Sequence, residues 1–350
     1  MLTAALPTFN RFAGRLGWRK TYNELSERSW TLAPSCVRHE PPCLYDPADL
    51  ARVVGYVPYS SPELERERME GGRLEHGACR AHLLRDVALM NGHLFRPGMT
   101  FMLSDGPVPW AASEPEEERE SAVLASTHFG FRYFGHWVGD DLPMRMVARD
   151  VGEPVTWKQP LTEHQVGYGS RLGLEVEALG PVRFRELIVV DDRGQNMDKR
   201  RRWQEMRARL HGWRRPEAHA GVMLVRGLTG ERRQLLNEEA VADALVARGF
   251  RIARPGQQTT AELIEACAGA RVVVSVEGSQ NAHGLLNMAD GGTMIALQPP
   301  NRFGNVYKDR CDCLGLRYGF AVGHAAEGGG FTIDIDALQR LLDRAATLAH

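Results

Sequence analysis

The sequence has 350 residues, 43% hydrophobic and 25% charged, which excludes a largely disordered chain and exceeds what one hydrophobic core usually organises. Forty-three basic residues face 44 acidic ones, a formal net charge of −1. The basic excess of a dedicated nucleic-acid binder is missing, so no nucleic-acid partner is expected.

Only four of the basic residues are lysines (Lys20, Lys158, Lys199 and Lys308). The dominant arginine suits planar, bidentate contact with phosphates and carboxylates. Six cysteines are few for this length. Cys311-Asp312-Cys313 lacks a second pair, so reduced cytosolic thiols are expected and a zinc site is not. Pro7, Asn10, Arg11 and Arg15 interrupt the apolar N-terminus, and no signal peptide is expected. No run approaches the ~18 apolar residues of a membrane span. The expected compartment is the cytoplasm, with peripheral contact at the inner face of the membrane left open.

Residues 1–80 read as an irregular extension, broken by Pro34, Pro41, Pro42, Pro47, Pro58 and Pro62. Glu63–Arg73 reads as a solvated loop or short helix. From Ala81 a small β-meander is expected: Arg85–Leu89, the hairpin turn Asn91-Gly92, His93–Phe95 and Met99–Leu103. Glu114–Glu120 reads as an acidic, solvated run. Glu163–Leu172 predicts a helix, Leu187–Val190 a buried strand ending at Asp191-Asp192, and Lys199–Leu210 a charged helix. The basic run Lys199–Arg202 reads as a solvated helix face.

Trp213–Glu217 is the expected linker. Beyond it strands and helices alternate: strand Val222–Val225, helix Asn237–Arg248, strand Phe250–Ala253, and a helix Thr260–Ala268 capped by Thr259 or Thr260. The unbroken β-branched run Val272-Val273-Val274 predicts a buried parallel strand. A loop at Gly278, a helix Asn281–Met288, a strand Thr293–Leu297 and a terminal helix Leu338–Leu348 follow. The pattern predicts an α/β fold with a parallel sheet in 217–330.

In such sheets ligands bind at the carboxyl ends of the strands. Arg226 and the Gly227–Arg233 loop, Glu277-Gly278-Ser279-Gln280, and Gln298-Pro299-Pro300 fall there. Small residues at a helix start let a diphosphate approach backbone N–H groups, with Arg226 supplying positive charge. A plain strand-to-helix turn is the other reading of Gly278-Ser279. Neither a Walker A loop nor GxGxxG is present.

His136 and Asp140 are four apart and face one side of a helix. They read as a base with its orienting carboxylate, as two metal ligands, or as structure packed against Trp137. Asp141 reads as a solvated neighbour. His283 contacts ligand or fills the core. Asn237 and Glu238 hold the loop at Arg226, bond a nucleoside or cap the following helix. Asp334-Ile335-Asp336 is an Asp-x-Asp string, and Asp336 reads as the N-cap of the terminal helix.

Taken in order, Arg226, Arg232–Glu239, Gly249-Phe250, Val272–Gly284 and Ile295–Pro300 resemble the C-terminal half of glycosyltransferase family 61. Upstream, His136-Trp137-Val138-Gly139-Asp140-Asp141-Leu142-Pro143 is similar to the family's His-Trp-x-x-Asp-x-Leu-Pro. Glu277-Gly278-Ser279 stands where the family often has His-Gly-Ala-Gly. The resemblance covers roughly residues 125 to 325.

It implies an inverting transferase that uses a nucleotide-sugar donor and a glycan or other hydroxyl acceptor, with no cofactor and no metal. It implies a GT-B fold: two Rossmann-like domains facing across a cleft, 81–212 on the acceptor side and 217–330 binding donor, with 331–350 packing back on the first domain. His136 and Asp140 are then the catalytic candidates. Arg226, Arg232, Asn237, Glu277, Gly278, Ser279, Gln280 and His283 are the donor-binding candidates. A non-catalytic nucleotide- or sugar-binding protein and a scaffolding subunit of polysaccharide assembly fit the same residues.

Overall fold

A computed structural model describes residues 3–112, 114–227 and 233–347. The chain divides into two compact units, Met1–Cys36 with Gly77–Asp198, and Val37–His76 with Lys199–His350. The fold is α/β.

The first eighty residues are not an irregular extension. They carry β1 (Arg28–Ala33), β2 (Cys36–Glu40), β3 (Gly72–His76) and a helix Pro62–Glu70. β1 joins the first unit, while β2 pairs with β3. Segment 37–76 belongs to the second unit for a concrete reason. Leu44 donates to Tyr318 and accepts from Phe320, each at 2.9 Å. Tyr45 stacks on Phe320 at 4.8 Å, and Arg68 pairs with Asp309 at 2.9 Å.

The first unit is built on β1, β4 (Cys79–Met90), β5 (His93–Arg96), β6 (Met99–Met102), β7 (Glu117–Leu124), β8 (Pro154–Trp157), β9 (Glu177–Leu179) and β10 (Val182–Asp191). They form one sheet in the order β6-β5-β4-β10-β7-β8-β9, with β1 also paired to β4. The β4-β5-β6 meander is antiparallel, as expected. β7 through β9 run parallel, and so do β7 and β10. The sheet is therefore mixed.

The run expected to be an acidic, solvated segment supplies the first half of β7. Its outward carboxylates are paired along the sheet surface: Arg119 bridges Glu117 and Glu177, each at 2.6 Å. Inward, Ala122 and Leu124 join Leu84, Leu187 and Val189 in the core.

The second unit has five parallel strands: β11 (His219–Leu224), β12 (Phe250–Ala253), β13 (Ala270–Val276), β14 (Thr293–Gln298) and β15 (Arg317–Val322). Their order is β12-β11-β13-β14-β15. The connections change direction between β11 and β13, which makes that gap the topological switch point. All six residues of β14 are buried, as a strand covered on both faces requires. Thr259 caps the helix Thr260–Cys267 through a capping box with Glu262, worth about 1 kcal/mol.

Further expectations change here. The units divide at Asp198/Lys199 rather than at Trp213–Glu217. The helix Met197–Leu210 buries Trp203 and Met206, and Arg207 donates to the Leu285 and Met288 carbonyls at 2.5 and 2.6 Å. Lys199 and Arg202 are buried too, so the basic run is not a solvated face.

The terminal helix Ile335–Thr347 belongs to the second unit. Leu338, Leu341, Leu342 and Ala345 sit in the second unit's own core with Val241, Ile295 and Leu297. Its cap is Asp334, which accepts from the Ala337 N–H at 3.0 Å, rather than Asp336. Among the described residues, no helix is long and apolar enough to cross a membrane.

Candidate active site

Two sets of predicted residues assemble, one in each unit. In the first unit, a helix Phe134–His136 runs into a π-helical turn, Trp137–Asp141, and then the helix Leu142–Val151. Such widened turns are rare and recur at functional sites. This one buries Trp137, Val138, Gly139 and Asp141. His136 and Asp140 stay half-buried at the surface, their side chains 19% and 26% exposed.

His136 Nδ1 lies 2.7 Å from Asp140 Oδ2. A carboxylate only accepts, so the imidazole proton is on Nδ1 and the basic lone pair on Nε2. The ring stacks on Phe129 at 5.1 Å rather than on Trp137. The i, i+4 spacing foresaw this pair.

Asp141 is not a solvated neighbour; it is 1% exposed. Its Oδ1 accepts from the Thr127 N–H at 3.0 Å and hydroxyl at 2.8 Å. Thr127 in turn caps the helix His128–Arg132, so Asp141 anchors the turn that carries His136. Gly130 makes room: a Cβ there would lie 2.2 Å from Asp141 Oδ1. Burial pushes the Asp141 carboxyl up to about 7, against the pull of Arg145 and the Thr127 hydrogen bonds.

That shift has a sign. Between pH ~4 and ~7 an unfolded Asp141 is ionised while the folded one keeps its proton, so stability falls as pH rises through this window. Asp141→Asn keeps an Oδ1 acceptor for Thr127. It should fold and flatten the pH dependence of the urea midpoint between pH 4 and 7. An unchanged slope would show that Asp141 is ionised in the folded protein.

A cavity of about 120 Å³ opens beside Asp141, walled by Trp137, Arg145, Trp157 and Gln165. The sequence reading missed it, because the walls come from four separate elements.

In the second unit, Arg226 follows β11 and Glu277–Gln280 follows β13, so both lie at the switch point. Arg226 Nη1 donates to Gln280 Oε1 at 3.1 Å. Gln280 is itself fixed, its Nε2 donating to Ser275 Oγ at 3.0 Å and the Val276 carbonyl at 2.6 Å. Gly278 lies directly under the guanidinium, where a Cβ would come within 2.2 Å of Arg226 Nη1. Only glycine permits this approach. The Ser279 carbonyl accepts from the Tyr307 hydroxyl at 3.3 Å.

Glu238 holds the loop after β11. Its carboxylate accepts from the Arg226 and Gly227 N–H groups at 2.8 and 3.0 Å. Asn237 faces elsewhere, exchanging hydrogen bonds with the Ile333 backbone at 2.9 and 3.0 Å, and it does not cap its helix. His283 is buried. Glu277 also points inward. It is 5% exposed and ion-paired with Arg233, 9% exposed, which donates to the Glu277 carbonyl at 2.7 Å as well. Arg233 was read as part of a loop and of the Arg232–Glu239 family segment, not as a site residue. Its partner lies 44 residues away, which no local pattern reveals. Arg232 lies outside the described residues.

Residues 134–295 match the family model described as Glycosyltransferase 61. That span contains His136, Asp140, Arg226 and Glu277–Gln280, and it bears out the resemblance read from the sequence. No curated protein matches the chain.

Proposed function

Since residues 134–295 match the family model described as Glycosyltransferase 61, we propose that the chain is an inverting glycosyltransferase. It moves a sugar from a nucleotide-sugar donor to a hydroxyl of a glycan acceptor, without a metal. A GT-B arrangement of the two units is part of this proposal.

The observation that carries it is the Arg226–Gln280 contact over Gly278 at the switch point. A fixed guanidinium beside small backbone is what a departing diphosphate needs. Its charge grows as the glycosidic bond breaks, and preorganised donors stabilise it at that moment. The guanidinium takes the part that a metal plays in other transferases. On the first unit, His136 Nε2 takes the acceptor proton and Asp140 holds the ring in the tautomer that leaves Nε2 basic. Attack from the face opposite the diphosphate inverts the anomeric centre.

Calorimetric titration with nucleoside diphosphates tests the donor site. Arg226→Gln should weaken binding by about 1.5–3 kcal/mol, the range for hydrogen bonds to charged groups, and EDTA should leave wild-type binding intact. Equal affinity in Arg226→Gln, or binding abolished by EDTA, would overturn the reading.

A further inference from the structure

The second unit contains another cavity, about 300 Å³ in volume, far from Arg226 and Gly278. It is lined by Arg38, Glu40, Arg200, Asp312, Gly315 and Arg317, among others. Its place in the sheet separates it from the switch point. Arg317 starts β15 and lies in register with Thr293, the first residue of β14. The cavity therefore sits at the amino ends of the parallel strands, whereas Arg226 and Gly278 follow the carboxyl ends. A six-residue strand spans about 20 Å, so one ligand group cannot occupy both places.

The charges around this cavity do not balance. Arg38 pairs with Glu40 at 2.7 Å, and His76 contacts the same carboxylate oxygen at 2.8 Å. Burial alone would raise the Glu40 carboxyl, but the hydrogen bonds from His76 and Arg38 outweigh it and hold the group down at about 2. Asp312 is ion-paired with Lys308, and both are buried. Each acidic group lining the cavity thus has its own cation.

Arg200 and Arg317 do not share in these pairs. Neither guanidinium has an ion pair or a hydrogen bond among the described residues. Arg317 Nη1 is buried without an acceptor, a costly state for a charged donor. Arg200 is half-buried and lies against Gly315, where a Cβ would stand 2.8 Å from its Nη2. Two half-buried guanidinium forks without acceptors, lining one cavity, are the donors a phosphoryl group accepts from.

We propose that this cavity is a second anion site that binds a phosphate or diphosphate group through Arg200 and Arg317. The ligand's oxygens supply acceptors for the guanidinium N–H groups of Arg200 and Arg317 that line the cavity. At about 30 Å³ per water the cavity has room for about ten waters, so the phosphoryl group enters with part of the molecule that bears it. Free phosphates and the headgroups of anionic lipids share this chemistry.

The test uses the full chain and inorganic pyrophosphate, followed by calorimetry at ~0.1 M salt. Arg226→Gln serves as background, so that the switch-point site does not contribute. In that background pyrophosphate should still bind, and adding Arg200→Gln with Arg317→Gln should weaken it about tenfold or more. Arg200→Gln alone guards against misfolding, because Arg200 sits on a helix surface, and it should weaken binding in the same direction. Absence of pyrophosphate binding in Arg226→Gln, or binding there that ignores both substitutions, would overturn the site. The source is read separately by flotation with phosphatidylcholine vesicles containing phosphatidic acid. Flotation that is lost in Arg200→Gln/Arg317→Gln assigns a lipid phosphate. Pyrophosphate binding without flotation assigns a soluble one. Failure of the donor reading would leave this result intact, because the assay needs no transfer and no switch-point ligand.

Discussion

His136→Ala should lower sugar transfer by about 10²–10⁴-fold while leaving nucleotide affinity within a factor of two or so. That is the usual loss when a general base is removed. A residue that acts only on the chemical step lowers kcat and kcat/KM together and spares donor binding. The fold should survive, because His136 is half-buried and its partner is the half-buried Asp140. Asp140→Asn is the informative companion. An asparagine amide can donate to Nδ1 as well as accept from it, so the imidazole loses its preference for a proton on Nδ1. Turnover should fall in this variant too, by less than in His136→Ala, with the melting temperature little changed. If both variants keep full turnover, the base lies elsewhere. If both melt early and lose nucleotide binding, the segment is structural.

The largest effect on stability is expected at Arg233. The Arg233–Glu277 pair is almost fully buried, and removing one partner of such a pair costs about 3–5 kcal/mol, because the remaining charge is left in a low-dielectric interior. Arg233→Met should therefore shift the denaturant midpoint strongly. Arg233→Met combined with Glu277→Leu should recover most of that loss, since replacing both partners with apolar groups of similar volume is often neutral. If the double variant is no more stable than the single one, the penalty is not that of a stranded carboxylate.

The second unit was legible because its strands are buried on both faces. Val272-Val273-Val274 and Thr293–Leu297 read as continuous apolar runs, and Gly249 and Gly278 punctuate them. Thr259 was legible as a cap because capping is local. Arg226 with Glu277–Gln280 could be grouped because the parallel fold sends every strand's carboxyl end to one side.

The first unit was harder. β7 begins with Glu117, Glu118, Arg119 and Glu120, whose charges are neutralised across strands by residues far away in sequence, so the run imitates a solvated loop. Lys199 and Arg202 read as surface because nothing local shows that they are buried. Asp141 looked like a neighbour of Asp140, yet the π-helical turn sends one carboxylate outward and the other into the core. The Pro-rich segment 37–76 has no periodicity of its own. It takes its shape from β15, which comes some 270 residues later.

That last feature bears on how the chain must be made. Leu44 hydrogen-bonds to Tyr318 and Phe320, so the second unit is sewn together from two stretches with most of the first unit between them. During vectorial synthesis, Val37–His76 emerges early and cannot reach its final neighbours until β15 has left the ribosome. Closing so long a loop costs little more entropy than closing one half as long, but the contact is highly non-local and therefore slow to form. For that interval Leu44 and Tyr45 have no native partner, and nascent chains are vulnerable to misassembly at such a stage. Neither unit can be excised as one contiguous fragment, so a truncation after residue 198 removes the support of segment 37–76 along with the second sheet.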